Sequence, residues 1–141
     1  MEKIIQKFGG TSLGKASRMK RVAEIVQKTL EADSFPIVVL SALSGGGKQD
    51  GTTSKLLEAS SEALRQGPYY KIIDKIQDTH IKIVRDAISV RSICEELEME
   101  IENQLTSLKL FLDAIHVIGE ISPRSQDVII STGEKLSALI F

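Results

Sequence analysis

The sequence predicts an α/β fold that becomes helix-rich after its opening segment. Three observations carry this reading. Two short apolar runs flank an amphipathic stretch, Ala16 to Leu30, which is the pattern of a βαβ unit. From Thr52 onward apolar residues recur almost only at helical spacing. The composition, 42% hydrophobic and 26% charged over 141 residues, is that of one globular domain able to bury a core.

The first strand is expected over Lys3 to Phe8, apolar at Ile4, Ile5 and Phe8, and it runs into Gly9-Gly10. Thr11 and Ser12 stand where a helix cap belongs. Ala16, Met19, Val22, Ala23, Val26 and Leu30 then mark an amphipathic helix over about residues 14–32. After Pro36, the run Ile37-Val38-Val39-Leu40 has the continuous apolar character of a buried parallel strand. A crossover between two such strands is right-handed.

The loop Gly45-Gly46-Gly47-Lys48-Gln49-Asp50-Gly51 follows. Three adjacent glycines lose much backbone entropy on ordering, so the loop should be mobile without a ligand. Leu56, Leu57, Ala63 and Leu64 mark the next helix, closed near Gly67-Pro68. Ile72, Ile73, Ile76, Ile83, Val84 and Ala87 mark a second. A third, over residues 91–118, carries Ile93, Leu97, Ile101, Leu105, Leu108, Leu112 and Ile115 on one face and a run of glutamates from Glu95 to Glu102 on the other. It holds only about three heptads, which favours a helix packed in a hairpin over a coiled-coil seam. Ser122-Pro123 caps and opens a last helix. Two strands make too small a parallel sheet to be covered on both faces. The last helix ends in Leu139-Ile140-Phe141 without a Gly or Pro stop. The expectation is therefore part of a larger domain.

Eighteen basic residues against nineteen acidic give a net charge of −1, which offers no basic face to nucleic acid. No apolar run approaches the roughly 20 residues that span a bilayer. The single Cys94 can form no internal disulfide and fits a reducing compartment. The N-terminus has neither a signal-peptide nor a transit-peptide pattern, so the expected setting is cytoplasmic.

Three segments could carry chemistry. In Lys7-Phe8-Gly9-Gly10-Thr11-Ser12 a strand delivers a lysine, two glycines clear the approach to the backbone, and a helix opens with unpaired N–H groups. That combination suits a phosphate, and in open α/β sheets ligands bind beyond the carboxyl ends of the strands. The plain alternative is a tight turn beside a solvated lysine. Ser41, at the end of the second strand, could donate to a carboxylate or could simply end the strand. Glu134, after Gly133 in the last helix, could accept from an ammonium group, although glutamate is common on helix surfaces. Gly9-Gly10 with Leu13-Gly14 does not give the dinucleotide-binding glycine spacing. The Gly45 to Lys48 stretch is not a Walker A loop, because Ala42 replaces its first glycine and Gln49 its Ser or Thr.

Together these segments resemble the aspartate kinases of the amino-acid-kinase family. Lys7-Phe8-Gly9-Gly10-Thr11-Ser12 matches their opening signature, and Val38-Val39-Leu40-Ser41-Ala42-Leu43-Ser44 their second strand. Thr52-Thr53-Ser54-Lys55-Leu56-Leu57 resembles the start of their next helix, and Ser131-Thr132-Gly133-Glu134-Lys135-Leu136-Ser137 their Gly-Glu-x-x-Ser helix. Thr132 stands where several members carry His. The glycine-rich loop resembles that of longer-looped members, including fungal ones. The segments occur in family order along the whole chain.

The resemblance implies a three-layer αβα sandwich, of which residues 1–141 would be the N-terminal, helix-rich part. It implies transfer of the ATP γ-phosphoryl group to the β-carboxylate of L-aspartate, giving 4-phospho-L-aspartate, the first step toward lysine, threonine and methionine. ATP with Mg2+ would be co-substrate, no prosthetic group would be bound, and the longer enzyme would be a homo-oligomer acting on neither nucleic acid nor membrane. Lys7 would neutralise the transferring phosphoryl group. Gly9, Gly10, Thr11 and Ser12 would donate to phosphates, Ser41 and Thr53 would hold substrate carboxylate, and Glu134 its ammonium. A carboxylate nucleophile is already ionised at neutral pH and needs no general base. His80 and His116 accordingly receive no role, and Cys94 is expected to be a packed side chain. The resemblance also implies parts with no counterpart here: an essential Asp, an arginine for the substrate α-carboxylate, the adenine pocket and ACT regulatory domains. The chain alone is then expected to show little or no kinase activity. Other readings are a short anion- or amino-acid-binding module, a helical interaction module using residues 91–118, and a different amino-acid kinase such as one acting on acetylglutamate. The Lys-Phe-Gly-Gly-Thr-Ser string and Glu134 favour aspartate.

Overall fold

In the computed structural model, which describes residues 2–47 and 50–141, strands β1 (Glu2–Phe8) and β2 (Ser34–Leu40) pair in parallel. Their register is regular, from Glu2 opposite Ser34 to Phe8 opposite Leu40. Between them come a one-turn helix α1 (Gly10–Leu13) and the crossover helix α2 (Ala16–Glu31). Met19 and Val22 form the buried face of α2, which packs on β2. Gln6 reaches from β1 to donate to the Thr29 hydroxyl of α2 at 2.8 Å. Asp33, at φ 56°, makes the left-handed turn from α2 into β2, a conformation aspartate tolerates well.

Both strands are longer than the apolar runs suggested. β2 begins at Ser34 and includes Pro36, opposite Ile4. A proline is tolerated there because each strand of a two-stranded sheet keeps a free edge for a residue without an N–H. The expectation of a buried second strand is corrected. Ser34, Pro36, Val38 and Leu40 are half-buried, while Phe35, Ile37 and Val39 remain 40–47% exposed. The cause is one-sided cover: α2 lies on one face of the sheet, and the other face carries exposed Ile5 and Lys7.

The remaining chain is helical: α3 (Thr52–Leu64), α4 (Tyr69–Ala87), α5 (Arg91–Ile118) and α6 (Pro123–Ile140). α3 packs against α4, α5 and α6, and α4 also touches α2. Leu56, Ile73, Ile101, Leu105, Leu112 and Leu136 are fully buried where these helices meet. The hairpin expectation for α5 holds, since it packs back on α4. Its buried stripe starts only at Ile101, and Ile93 is 45% exposed. Gly119, at φ 71°, ends α5, with its N–H donating to the Ile115 carbonyl at 2.7 Å. The Ser122 hydroxyl accepts from the Ser125 N–H at 3.0 Å with Pro123 in the first turn, as the sequence indicated. Cys94 is a half-buried free thiol whose S–H donates to the Ile88 carbonyl. No helix among the described residues is long and apolar enough to cross a membrane.

Candidate functional site

The carboxyl ends of β1 and β2 lie side by side, and the Ser41 N–H donates to the Phe8 carbonyl at 3.1 Å. The chain leaves β1 through Gly9, whose extended backbone (φ −76°, ψ 163°) starts α1 directly. Gly9 is thus the N-cap, and its carbonyl accepts from the Ser12 N–H at 3.0 Å. Thr11 and Ser12 lie inside this single turn and do not cap the longer helix. That helix starts afresh at Ala16, after the chain turns at Gly14 and Lys15, so the span of about 14–32 contracts to Ala16–Glu31. The Ser12 N–H is committed to Gly9, which leaves its hydroxyl as its available group. The first N–H groups of α1 have no intrahelical partner.

The glycines divide into two kinds. A Cβ on Gly10 would collide with the Ala42 carbonyl, and one on Gly14 with the Ser44 carbonyl. The segment after β1 therefore presses directly on the segment after β2, and the Ser44 N–H donates to the Gly10 carbonyl at 3.0 Å. A Cβ on Gly9 would meet nothing within 4 Å, so the space over that residue is open. Only Gly9 fits the idea of glycines clearing room for a ligand; Gly10 is required by packing.

One residue of this region escaped the sequence reading. Arg18, in the first turn of α2, donates from Nη1 to the Thr11 carbonyl at 2.9 Å and so braces α1 from behind. A groove of about 590 Å³ runs beside it, lined by Phe8, Thr11, Ser12, Arg18 and Arg21 among others. The only sequence signal was a basic residue shortly after the glycine turn.

Lys7 is exposed and stands opposite Val39 in the register. Val39 lines a cavity of about 470 Å³ together with Glu134, Ala138 and Phe141, so α6 approaches the face of the sheet that carries Lys7. The approach is set at Gly133, where a Cβ would lie 2.8 Å from the Ala42 Cβ and 3.3 Å from the Thr52 Cγ2. The Thr52 N–H donates to the Leu43 carbonyl at 2.9 Å, which fixes where α3 begins and sets half-buried Thr53 in its first turn. Half-buried Ser41 lies directly past β2. The structure thus gathers Lys7, Gly9–Ser12, Ser41, Thr53 and Glu134 on segments that touch one another at one end of the sheet. Among the described residues neither Lys7 nor Glu134 forms an ion pair, so both charges are open to a ligand. Lys48 and Gln49, on which the Walker A comparison turned, lie outside the described residues.

His80 is fully buried in α4. Burial pushes its pKa down to about 4, and its Nδ1 is 2.7 Å from the Ile76 carbonyl, so the ring is neutral with the proton on Nδ1. Among the described residues no group of three or more His, Cys, Asp or Glu side chains is placed to hold a metal.

The pattern that describes the amino acid kinase family matches residues 2–141. The chain belongs to the amino acid kinase family. This family chain is 36% identical to an aspartokinase of Candida albicans over 136 residues, which is 96% of the chain and 24% of that protein. It is 35% identical to an aspartokinase of Schizosaccharomyces pombe, covering 95% of the chain and 26% of that protein. It therefore spans about a quarter of the length of the curated relatives it matches. Its fold is similar to that of Escherichia coli aspartokinase III in complex with aspartate and ADP, with a TM-score of 0.78 and 27% identity over 99% of this chain and 28% of that one. Clostridium acetobutylicum aspartate kinase, at 20% identity and a TM-score of 0.66, shares the fold. The helix-rich architecture with a small parallel sheet is thus of the amino-acid-kinase class.

Proposed function

We propose that this chain forms the N-terminal part of the kinase domain of an aspartate kinase and supplies its phosphate cradle and part of its aspartate pocket. The carrying observation is the contact of Gly133 with Ala42 and Thr52, because it delivers Glu134 to the strand ends that bear Lys7 and Ser41. The aspartokinases it resembles, and the E. coli structure with aspartate and ADP, support the same reading.

In this reading the Lys7 ammonium offsets the charge of the transferring phosphoryl group, and the free N–H groups over Gly9 with the hydroxyls of Thr11 and Ser12 hold phosphate oxygens. Gly10 contributes its backbone while keeping α1 seated on Ala42. Ser41 and Thr53 donate to substrate carboxylate, and Glu134 accepts from the substrate ammonium. Phosphoryl transfer to an ionised carboxylate then requires positioning and charge stabilisation, with no proton to remove. Magnesium arrives with ATP. A reducing, cytoplasmic setting and a homo-oligomeric longer enzyme belong to the same proposal.

The test is a chimera in which residues 2–141 replace the matching segment of the Saccharomyces cerevisiae aspartokinase, to which the chain is 36% identical. The chimera should form 4-phospho-L-aspartate from ATP and aspartate. Lys7→Ala in it should lower turnover by roughly 10²–10³-fold with the fold intact, and near-normal turnover would remove Lys7 from the mechanism. The 141-residue chain alone should release no ADP in response to aspartate. Robust release would refute a shared site.

A further inference from the structure

Each backbone carbonyl from Phe8 to Thr11 has a donor. That of Phe8 accepts from the Ser41 N–H at 3.1 Å, that of Gly9 from the Ser12 N–H at 3.0 Å, and that of Gly10 from the Ser44 N–H at 3.0 Å. The fourth, of Thr11, accepts from Arg18 Nη1 at 2.9 Å. Three of these donors are backbone groups, and only the last belongs to a side chain. The peptide unit between Thr11 and Ser12 is therefore held at both ends, its N–H by Gly9 and its C=O by Arg18. A planar unit fixed at two points resists tilting.

The groups on either side of this peptide have no other hold. Among the described residues neither the Thr11 nor the Ser12 hydroxyl has a hydrogen-bond partner, so the direction of each follows from its backbone. Helix α1 is a single turn, too short to persist by its own hydrogen bonds. The needs of α2 do not account for Arg18. It stands in the first turn of that helix, where a positive charge opposes the macrodipole and no acidic residue offsets it. Arg18 forms no ion pair among the described residues, and no residue lining the groove it shares with Arg21, Thr11 and Ser12 is acidic. Its charge is uncompensated and lies beside those two hydroxyls.

We infer that Arg18 is a positioning residue for the phosphate cradle: by holding the Thr11 carbonyl it fixes the Thr11–Ser12 peptide, and with it the direction in which both hydroxyls meet a nucleotide's phosphates. The inference rests on the function proposed above. Binding groups must be held by their supporting contacts to act on a ligand, and small misplacements are costly.

Arg18→Met keeps the apolar stem and removes the donor and the charge. In the 141-residue chain it should speed amide hydrogen exchange at Ser12 about fivefold or more, while the Gly119 amide at the end of α5 and the urea midpoint stay unchanged. In the chimera it should raise KM for ATP about tenfold and leave KM for aspartate unchanged. Arg18→Lys, which restores a charged donor, should recover the wild-type exchange rate and most of the KM. A merely structural residue would move both KM values and the urea midpoint together. A chimera that forms no 4-phospho-L-aspartate refutes the proposed function, while the exchange at Ser12 still decides whether Arg18 holds the turn. The inference is overturned by unchanged Ser12 exchange in Arg18→Met, by equal acceleration at Gly119, by an unchanged KM for ATP in an active chimera, by both KM values rising together, or by Arg18→Lys behaving as Arg18→Met.

Discussion

Gly9 and Gly133 give opposite predictions from the same substitution. A methyl on Gly133 would stand 2.8 Å from the Ala42 Cβ, so α6 must move off the strand ends. Gly133→Ala should cost about 1–3 kcal/mol, read from the urea midpoint. Gly9 has an ordinary φ of −76° and open space around it. Gly9→Ala should leave stability within about 0.5 kcal/mol while lowering kcat/KM in the chimera, and unchanged kinetics would mean that no ligand approaches there. His80 sets a pH dependence. Its folded pKa, about 4, lies below the ordinary 6.5, so the unfolded chain binds the proton first. Its contribution is full above pH 6.5, is lost as pH falls toward 4, and amounts to something on the order of 3 kcal/mol. Urea midpoints of the chain and of His80→Gln should converge across that interval; parallel curves would show that His80 titrates normally. At this scale the sequence named the residues but not their jobs. Gly133 read only as the residue before Glu134, because nothing local reveals that a helix will press against Ala42. The buried ring of His80 received no role for the same reason.

Elements were more legible than residues, because periodicity is a local property. The expected span of α5 agrees with the structure to the residue, and Ser122-Pro123 opens α6 as expected. The misreadings fall where backbone geometry overrides side-chain pattern. An extended Gly9 starts α1 before Thr11, and a free sheet edge admits Pro36 into β2. Burial along α5 was the less legible quantity, since its apolar stripe is continuous in sequence but only its later turns meet neighbours. Leu105→Ala should therefore cost about 2–5 kcal/mol by denaturant unfolding, and Ile93→Ala less than about 1. Similar costs would mean that α5 is covered along its whole length. The Tyr69–Asp113 bond ties α4 to α5 and has its own pH limit. Because the folded pKa is raised to about 12 from 10.0, its stabilisation is present below pH 10 and lost as pH rises through 12.

For the whole molecule, the sheet is the asymmetric part. Away from the end that α6 approaches, Ile5, Phe35 and Ile37 leave one face apolar and open, with Ile5 at 72% exposure. Ile37→Lys should change the stability of the 141-residue chain by less than about 1 kcal/mol and reduce its association in concentrated solution, seen by sedimentation. A loss above about 3 kcal/mol would show that this face is covered. The two glycine contacts across the sheet end have a mechanical result. Gly10 and Gly14 leave no clearance to the carbonyls of Ala42 and Ser44, so the two strand-end segments cannot slide past each other. Ligand ordering of the first segment should therefore slow hydrogen exchange in the second as well, and by linkage the reverse; exchange slowed in one segment alone would mean that they move separately.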